Sequence, residues 1–196
     1  MGSAIKAIQT TYNGIRFRSR TEARWAVFMD AAGIPYAYEA EGFYFQDGTT
    51  YLPDFWLPDQ RTFLECKGVM SDKDLHKIKT LVVESDYEVI VGYPDMKFDV
   101  YDVDYRMVGY AYKSEMPWLM ECDYCGKKYF LNAEHNLNLC RCCGYIWSEG
   151  GPSIRVLCNG FGHNFQPDAK HRKEKFDAIE KAKSARFEFG EDGTNG

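Results

Sequence analysis

The run Tyr51-Leu-Pro-Asp-Phe-Trp-Leu-Pro58 is strand-like, and so is Phe63-Leu-Glu-Cys-Lys-Gly68. Pro58-Asp59-Gln60-Arg61 supplies a turn between them, so the segment has to fold as a hairpin. Such a hairpin brings Asp54 and Glu65 side by side on adjacent strands, although they are 11 residues apart in the chain. Strand alternation puts Lys67 on the same face as Glu65. Both acids are set in apolar surroundings, with Leu52, Phe55, Trp56 and Leu57 around Asp54, where an unpaired carboxylate is costly. Ordinary hairpin-edge charge is the weaker explanation. Two hard oxygen ligands and an ammonium suit hydrolysis of a phosphodiester with Mg2+ or Mn2+. The carboxylates hold the metal, and the lysine positions water or stabilises the developing charge.

The rest of the first half surrounds this hairpin with elements of a mixed α/β domain. Residues 8–18 read as a strand or short hairpin around Asn13-Gly14. A helix is expected from Ser19 to Ala32, with Ser19 as N-cap, Glu22 at the capping-box position and Gly33 just past the end. Strands are expected over Ile34–Glu39, 42–46 and 50–57, and a helix over Ser71–Glu84 with Leu75, Ile78, Leu81 and Val82 on one face. Tyr87–Tyr93 then reads as a strand. Hydrophobic residues make up 45% of the chain and aromatics 16%, enough for a packed core and too much for a disordered chain.

The set formed by Glu22 in Phe17-Arg-Ser-Arg-Thr-Glu-Ala-Arg-Trp25, then Pro53-Asp54, then Glu65-Cys66-Lys67 resembles the PD-(D/E)XK nuclease superfamily. The resemblance covers roughly residues 10–95. It implies a restriction-endonuclease-like mixed sheet flanked by helices and metal-dependent cleavage of a phosphodiester. Asp54 and Glu65 would bind the metal, Glu22 would be a third acid, and Lys67 would serve catalysis. The implied products carry 5′-phosphate and 3′-hydroxyl ends. Glu22 has a competing role in the cap, and Glu39 and Glu41 are rival third acids.

Seven cysteines is an odd number, and four fall in Cys122-x-x-Cys125 and Cys140-x-x-Cys143. That pattern favours a structural zinc in a reducing compartment over a disulfide framework. Cys142 or His135 could substitute as a ligand; Cys158 and His163 are too few for a second site. The expected organisation is a nuclease domain over 1–110, a zinc-ribbon-like module over 111–152, and a C-terminal helical extension with a frayed tail over 153–196. Its helix, expected over 168–186, is rich in lysine and arginine.

Net charge is −5, which argues against holding nucleic acid by bulk charge. Local patches would have to do so. Arg16, Arg18, Arg20 and Arg24 gather near Glu22, where they either clamp phosphates or pair with acids. Lys127 and Lys128, interleaved with Tyr124 and Tyr129 and followed by Arg141, have the mixture of a nucleic-acid surface. The start, Met-Gly-Ser-Ala-Ile-Lys, has no apolar leader-like run, and no stretch approaches membrane-spanning length.

The sequence therefore leads us to expect a DNA endonuclease of the cytoplasm of a bacterial or phage-infected cell, with branched or otherwise structured DNA suggested as substrate by analogy with phage and mobile-element enzymes. Paired cuts in a duplex would call for a homodimer. With no phosphate-binding Gly-Lys-Ser/Thr loop, ATP hydrolysis would need a partner protein. The rival classes are an RNA-acting nuclease and a non-catalytic nucleic-acid-binding or assembly protein on the same scaffold.

Overall fold

The computed structural model describes residues 8–85, 87–104, 109–115, 117–122, 124–132, 140, 143, 155–159 and 169–187. The chain opens with a hairpin of β1 (Thr10–Tyr12) and β2 (Ile15–Phe17). Asn13 and Gly14 turn it at φ of 48° and 76°, the left-handed pair a two-residue hairpin turn requires. Helix α1 follows (Arg20–Ala32). Ser19 caps it by accepting from the Glu22 N–H, and Gly33 ends it at φ 68°.

The next strands are short: β3 (Ala37–Tyr38), β4 (Phe43–Tyr44), β5 (Thr50–Tyr51), β6 (Phe55–Leu57) and β7 (Thr62–Cys66). The strand expected over 50–57 is two strands in different sheets. β5 pairs with β4 in a separate ribbon, and β6 pairs with β3 and β7. Pro53, which has no N–H to donate, lies at the break. Helix α2 (Asp72–Ser85) then crosses over to β8 (Val89–Gly92), which runs parallel to β7. β9 (Phe98–Val103) and β10 (Ala111–Lys113) complete a six-stranded mixed sheet of order β10-β9-β8-β7-β6-β3.

One face of the sheet buries Leu64, Ile90 and Val100 against Trp25, Ala26 and Met29 of α1. The other buries Phe63, Val89 and Val91 against Ile78, Leu81 and Val82 of α2, three of the four residues expected on one face; the fourth, Leu75, is partly buried against them. A second, three-stranded antiparallel sheet joins β11 (Pro117–Glu121), β12 (Lys128–Asn132) and β13 (Arg155–Asn159) in the order β12-β11-β13. Helix α3 (Ala169–Ser184) closes the described chain.

These later elements share the first core. Leu119, Phe130, Ala178, Ala182 and Phe187 belong to the same buried cluster as α1. The Phe130 ring lies 4.9 Å from that of Phe98 and 6.2 Å from that of Trp25. The boundary expected at residue 110 falls inside the β9–β10 hairpin, which carries the main sheet on to Lys113. His135, Arg141, Cys142, His163 and the tail over 189–196 lie outside the described residues. Among the described residues, no helix is long and apolar enough to cross a membrane.

Candidate active site and metal centre

The β6–β7 register pairs Phe55 with Leu64. One step further out, Asp54 therefore faces Glu65, and the Asp54 N–H donates to Glu65 Oε2 at 3.3 Å. Asp54 Oδ2 accepts from the Cys66 N–H at 2.7 Å. Lys67 Nζ lies 2.7 Å from Glu65 Oε1, as alternation along β7 requires. The same ammonium lies 3.0 Å from Asp74 Oδ1 in the first turn of α2. Burial lowers the Lys67 pKa, but the charges of Glu65 and Asp74 more than offset it and hold the ammonium above its ordinary value. The hairpin read from the sequence thus assembles Asp54, Glu65 and Lys67 at one place.

Glu22 reaches the same place from α1. Its Oε1 accepts from the Ser19 hydroxyl at 2.7 Å, and its Oε2 from the Tyr38 hydroxyl at 2.6 Å and the Arg18 N–H at 3.0 Å. Glu22 is therefore both part of the helix cap and a member of the acid cluster. Three carboxylates are buried here: Glu22 is 6% exposed, Asp54 4% and Glu65 3%. Burial, then the charges of Glu65 and Glu22, raise the Asp54 pKa well above the usual carboxylate range. The Cys66 N–H and Arg18 pull it back only in part. A buried cluster of hard oxygens, whose like charge Lys67 and Arg18 relieve only in part, suits a hard divalent cation. Tyr51 adds a further oxygen. Its buried hydroxyl makes no hydrogen bond of normal geometry, and burial, then the charge of Glu65, raise its pKa.

One charged rim borders the cluster. Arg18 Nη2 lies 2.9 Å from Asp54 Oδ1, and its Nε lies 2.7 Å from Glu39 Oε1. Glu39 sits at φ 47°, an uncommon conformation for a non-glycine residue. Its N–H donates to the Asp54 carbonyl at 2.8 Å, which holds it at the site. Glu41 is an exposed surface charge.

The second centre is formed by Cys122, Cys125, Cys140 and Cys143, whose sulfurs all lie within 4.8 Å of one another. The Cys122–Cys143 and Cys125–Cys140 sulfurs are 3.9 Å and 3.8 Å apart. Those separations are far beyond a disulfide bond. Four sulfurs about 2.3 Å from one zinc in a tetrahedron stand about 3.8 Å apart. The first knuckle turns through Gly126, at φ 67°, whose N–H donates to the Cys122 carbonyl at 2.7 Å. This cluster can hold a metal such as zinc.

The basic residues expected to meet nucleic acid take several places. Arg18 is in the acid cluster, and Arg16 donates to Gln9. Arg20 and Arg24 lie one turn apart on α1, each partly buried. Lys127 pairs with Asp59 in the β6–β7 turn, and Lys128 lies 3.6 Å from Glu121. Asp74, Tyr38 and Tyr51 were not among the expected site residues. Only Asp74 has a local signal, the Ser71-x-x-Asp74 pattern at a helix start, which also bonds Ser71 N–H to its carboxylate at 3.2 Å. Comparison with family models, curated proteins and solved structures finds no match for this chain.

Proposed function

We propose that this chain is a metal-dependent DNA endonuclease of the PD-(D/E)XK kind, with a restriction-endonuclease-like catalytic core and a structural zinc. The observation that carries the reading is the buried meeting of Asp54, Glu65 and Glu22 beside the clamped ammonium of Lys67. In this reading Asp54 and Glu65 hold Mg2+ or Mn2+, with Glu22 assisting. When bound, the metal supplies Lewis-acid activation of water and neutralises phosphate charge. Lys67 stays protonated between Glu65 and Asp74, so it acts as a hydrogen-bond donor and fixed positive charge, not as a base. The Cys66 N–H and the β6–β7 ladder fix the orientation of Asp54. Zinc on the four cysteines holds together a small unit that supports folding and substrate docking. Branched or structured DNA is the substrate class proposed, with a homodimer making paired cuts and any ATP hydrolysis left to a partner protein. The cytoplasm of a bacterial or phage-infected cell is the setting proposed, in keeping with four clustered cysteines placed to hold a metal.

The test is cleavage by the purified, zinc-loaded chain on linear, single-stranded and branched DNA and on RNA, with Mg2+ or with chelator. Cutting of a DNA substrate that needs Mg2+ and vanishes in Asp54→Asn is expected. Cutting only of RNA would move the enzyme to the RNA-acting class. Wild-type cutting by Asp54→Asn, or none by either protein on any substrate, would refute the reading.

A further inference from the structure

Every carboxylate oxygen of the acid cluster already has a partner within the protein. Glu22 is bonded by Ser19, Tyr38 and the Arg18 N–H. Glu65 is bonded by Lys67 and the Asp54 N–H. Asp54 Oδ2 is bonded by the Cys66 N–H. Most of these donors are backbone groups or are fixed in packed elements. The exception is the donor on Asp54 Oδ1, the guanidinium of Arg18, whose side chain is 51% exposed. Its other anchors are Glu39, itself 30% exposed, and Tyr38. Among the described residues, Arg18 is thus the more exposed of the two cations that touch the cluster's acids, ahead of Lys67 at 23%, and it can leave into water without unmaking an element of the fold.

A second feature points to a ligand at the same place. The Tyr51 hydroxyl is buried, meets Glu65 without a hydrogen bond of normal geometry, and is subject to the charges of Glu65, Asp54 and Asp74. A buried hydroxyl so poorly satisfied is costly unless something completes it.

We propose that Arg18 is an exchangeable internal counter-ion. It occupies Asp54 Oδ1 in the metal-free protein and must swing away for a divalent cation to take that oxygen. This rests on the reading of Asp54 and Glu65 as metal ligands. The consequence is a competition. The guanidinium stabilises the empty site against the repulsion of three buried acids, and it weakens the apparent affinity for metal by the same interaction. Once displaced, it is a free guanidinium at the edge of the site, where the phosphate of a substrate would meet it. Arg18 is therefore a positioning residue whose partner changes from carboxylate to phosphate. That would give Arg18 in turn both of the roles left open by its sequence, acid partner and phosphate clamp.

The experiment is calorimetric titration of Mn2+ into the full-length, zinc-loaded chain, with thermal unfolding measured in parallel with and without Mn2+. Removing a hydrogen-bonded ion pair to a buried carboxylate is worth about a factor of ten in affinity. Arg18→Ala should therefore bind Mn2+ about tenfold more tightly than wild type. It should also melt lower without metal and gain more from Mn2+. Arg18→Lys, which keeps a cation there, should stay near wild type. Asp54→Asn in the Arg18→Ala background should abolish binding. If Arg18→Ala binds Mn2+ no more tightly than wild type while Asp54→Asn still abolishes binding, the counter-ion proposal is overturned and the metal site stands. If Asp54→Asn leaves Mn2+ binding intact, the metal-site reading itself is overturned. Should Arg18→Ala fail to fold, Arg18→Gln serves in the same titration with the same expected direction.

Discussion

Gln60 lies in the turn between the strands carrying Asp54 and Glu65, and it ties that turn to the cysteine-bearing unit. It is 1% exposed, and its Oε1 accepts from the Phe130 N–H of β12 at 2.7 Å. Its own Nε2 is buried without a hydrogen-bond partner. Gln60→Leu removes the acceptor and leaves the Phe130 N–H buried and unpaired, a loss of about 1–3 kcal/mol. It also removes the unpartnered Nε2, which offsets part of that loss. The net expectation is a destabilisation of about 1–2 kcal/mol, or a fall in Tm of roughly 2–8 °C for a chain of this size. Asp59→Ala, which removes only the partly exposed pair with Lys127, should cost under about 1 kcal/mol. The assay is thermal unfolding followed by circular dichroism, in zinc-loaded protein and again with chelator. Stripping the metal should loosen β12 and weaken the Gln60 bond in advance, so Gln60→Leu should cost less there. A zinc-loaded Gln60→Leu protein melting within about 1 °C of wild type would refute the idea that this bond fastens the two units.

Other expectations test separate parts of the structure. A Cβ on Gly92 would stand 2.4 Å from a ring carbon of buried Trp25, so Gly92→Ala should destabilise by about 1–3 kcal/mol, read by denaturant unfolding. The raised Asp54 pKa means that the folded state holds this proton more tightly than the unfolded chain does. Its contribution is therefore fully present below the unfolded value of about 3.9 and is lost as pH rises through the folded pKa. Without divalent metal, the stability of wild type relative to Asp54→Asn should fall across that window, measured by unfolding at a series of pH values. Added Mn2+ should flatten the decline. Elemental analysis of protein purified under reducing conditions should find one zinc per chain, lost in Cys122→Ser; protein without zinc would refute that centre.

The parts of the site set by short-range patterning were legible in the sequence. Two apolar runs around Pro58-Asp59-Gln60-Arg61 allow few registers, and the one that forms puts Asp54 opposite Glu65 and Lys67 beside it. The α1 cap was equally local, because Ser19, Glu22 and Gly33 lie within one helix and its ends. What escaped depends on distant chain. Tyr38 enters because β3 pairs with β6, and Asp74 enters because α2 starts beside the end of β7. Neither approach is written in the spacing of the residues concerned. The same holds for Arg18: its alternation with Arg16 and Arg20 marked a basic patch, but only the packing of the β2–α1 junction against β6 turns it onto Asp54. The strand expected over Ile34–Glu39 shrinks to Ala37–Tyr38, since Glu39 leaves the extended conformation to meet Arg18.

In the proposed function the buried acids form a divalent-cation site separate from the cysteine centre. Anomalous diffraction from crystals of the zinc-loaded chain soaked in Mn2+ tests it most directly, with data collected at the manganese and zinc edges. The expected map has a manganese peak shared by the Asp54 and Glu65 carboxylates, with Arg18 turned away from Asp54, and a zinc peak among Cys122, Cys125, Cys140 and Cys143. Arg18 still seated on Asp54 with no manganese beside Glu65, at Mn2+ concentrations that saturate ordinary carboxylate sites, would contradict it.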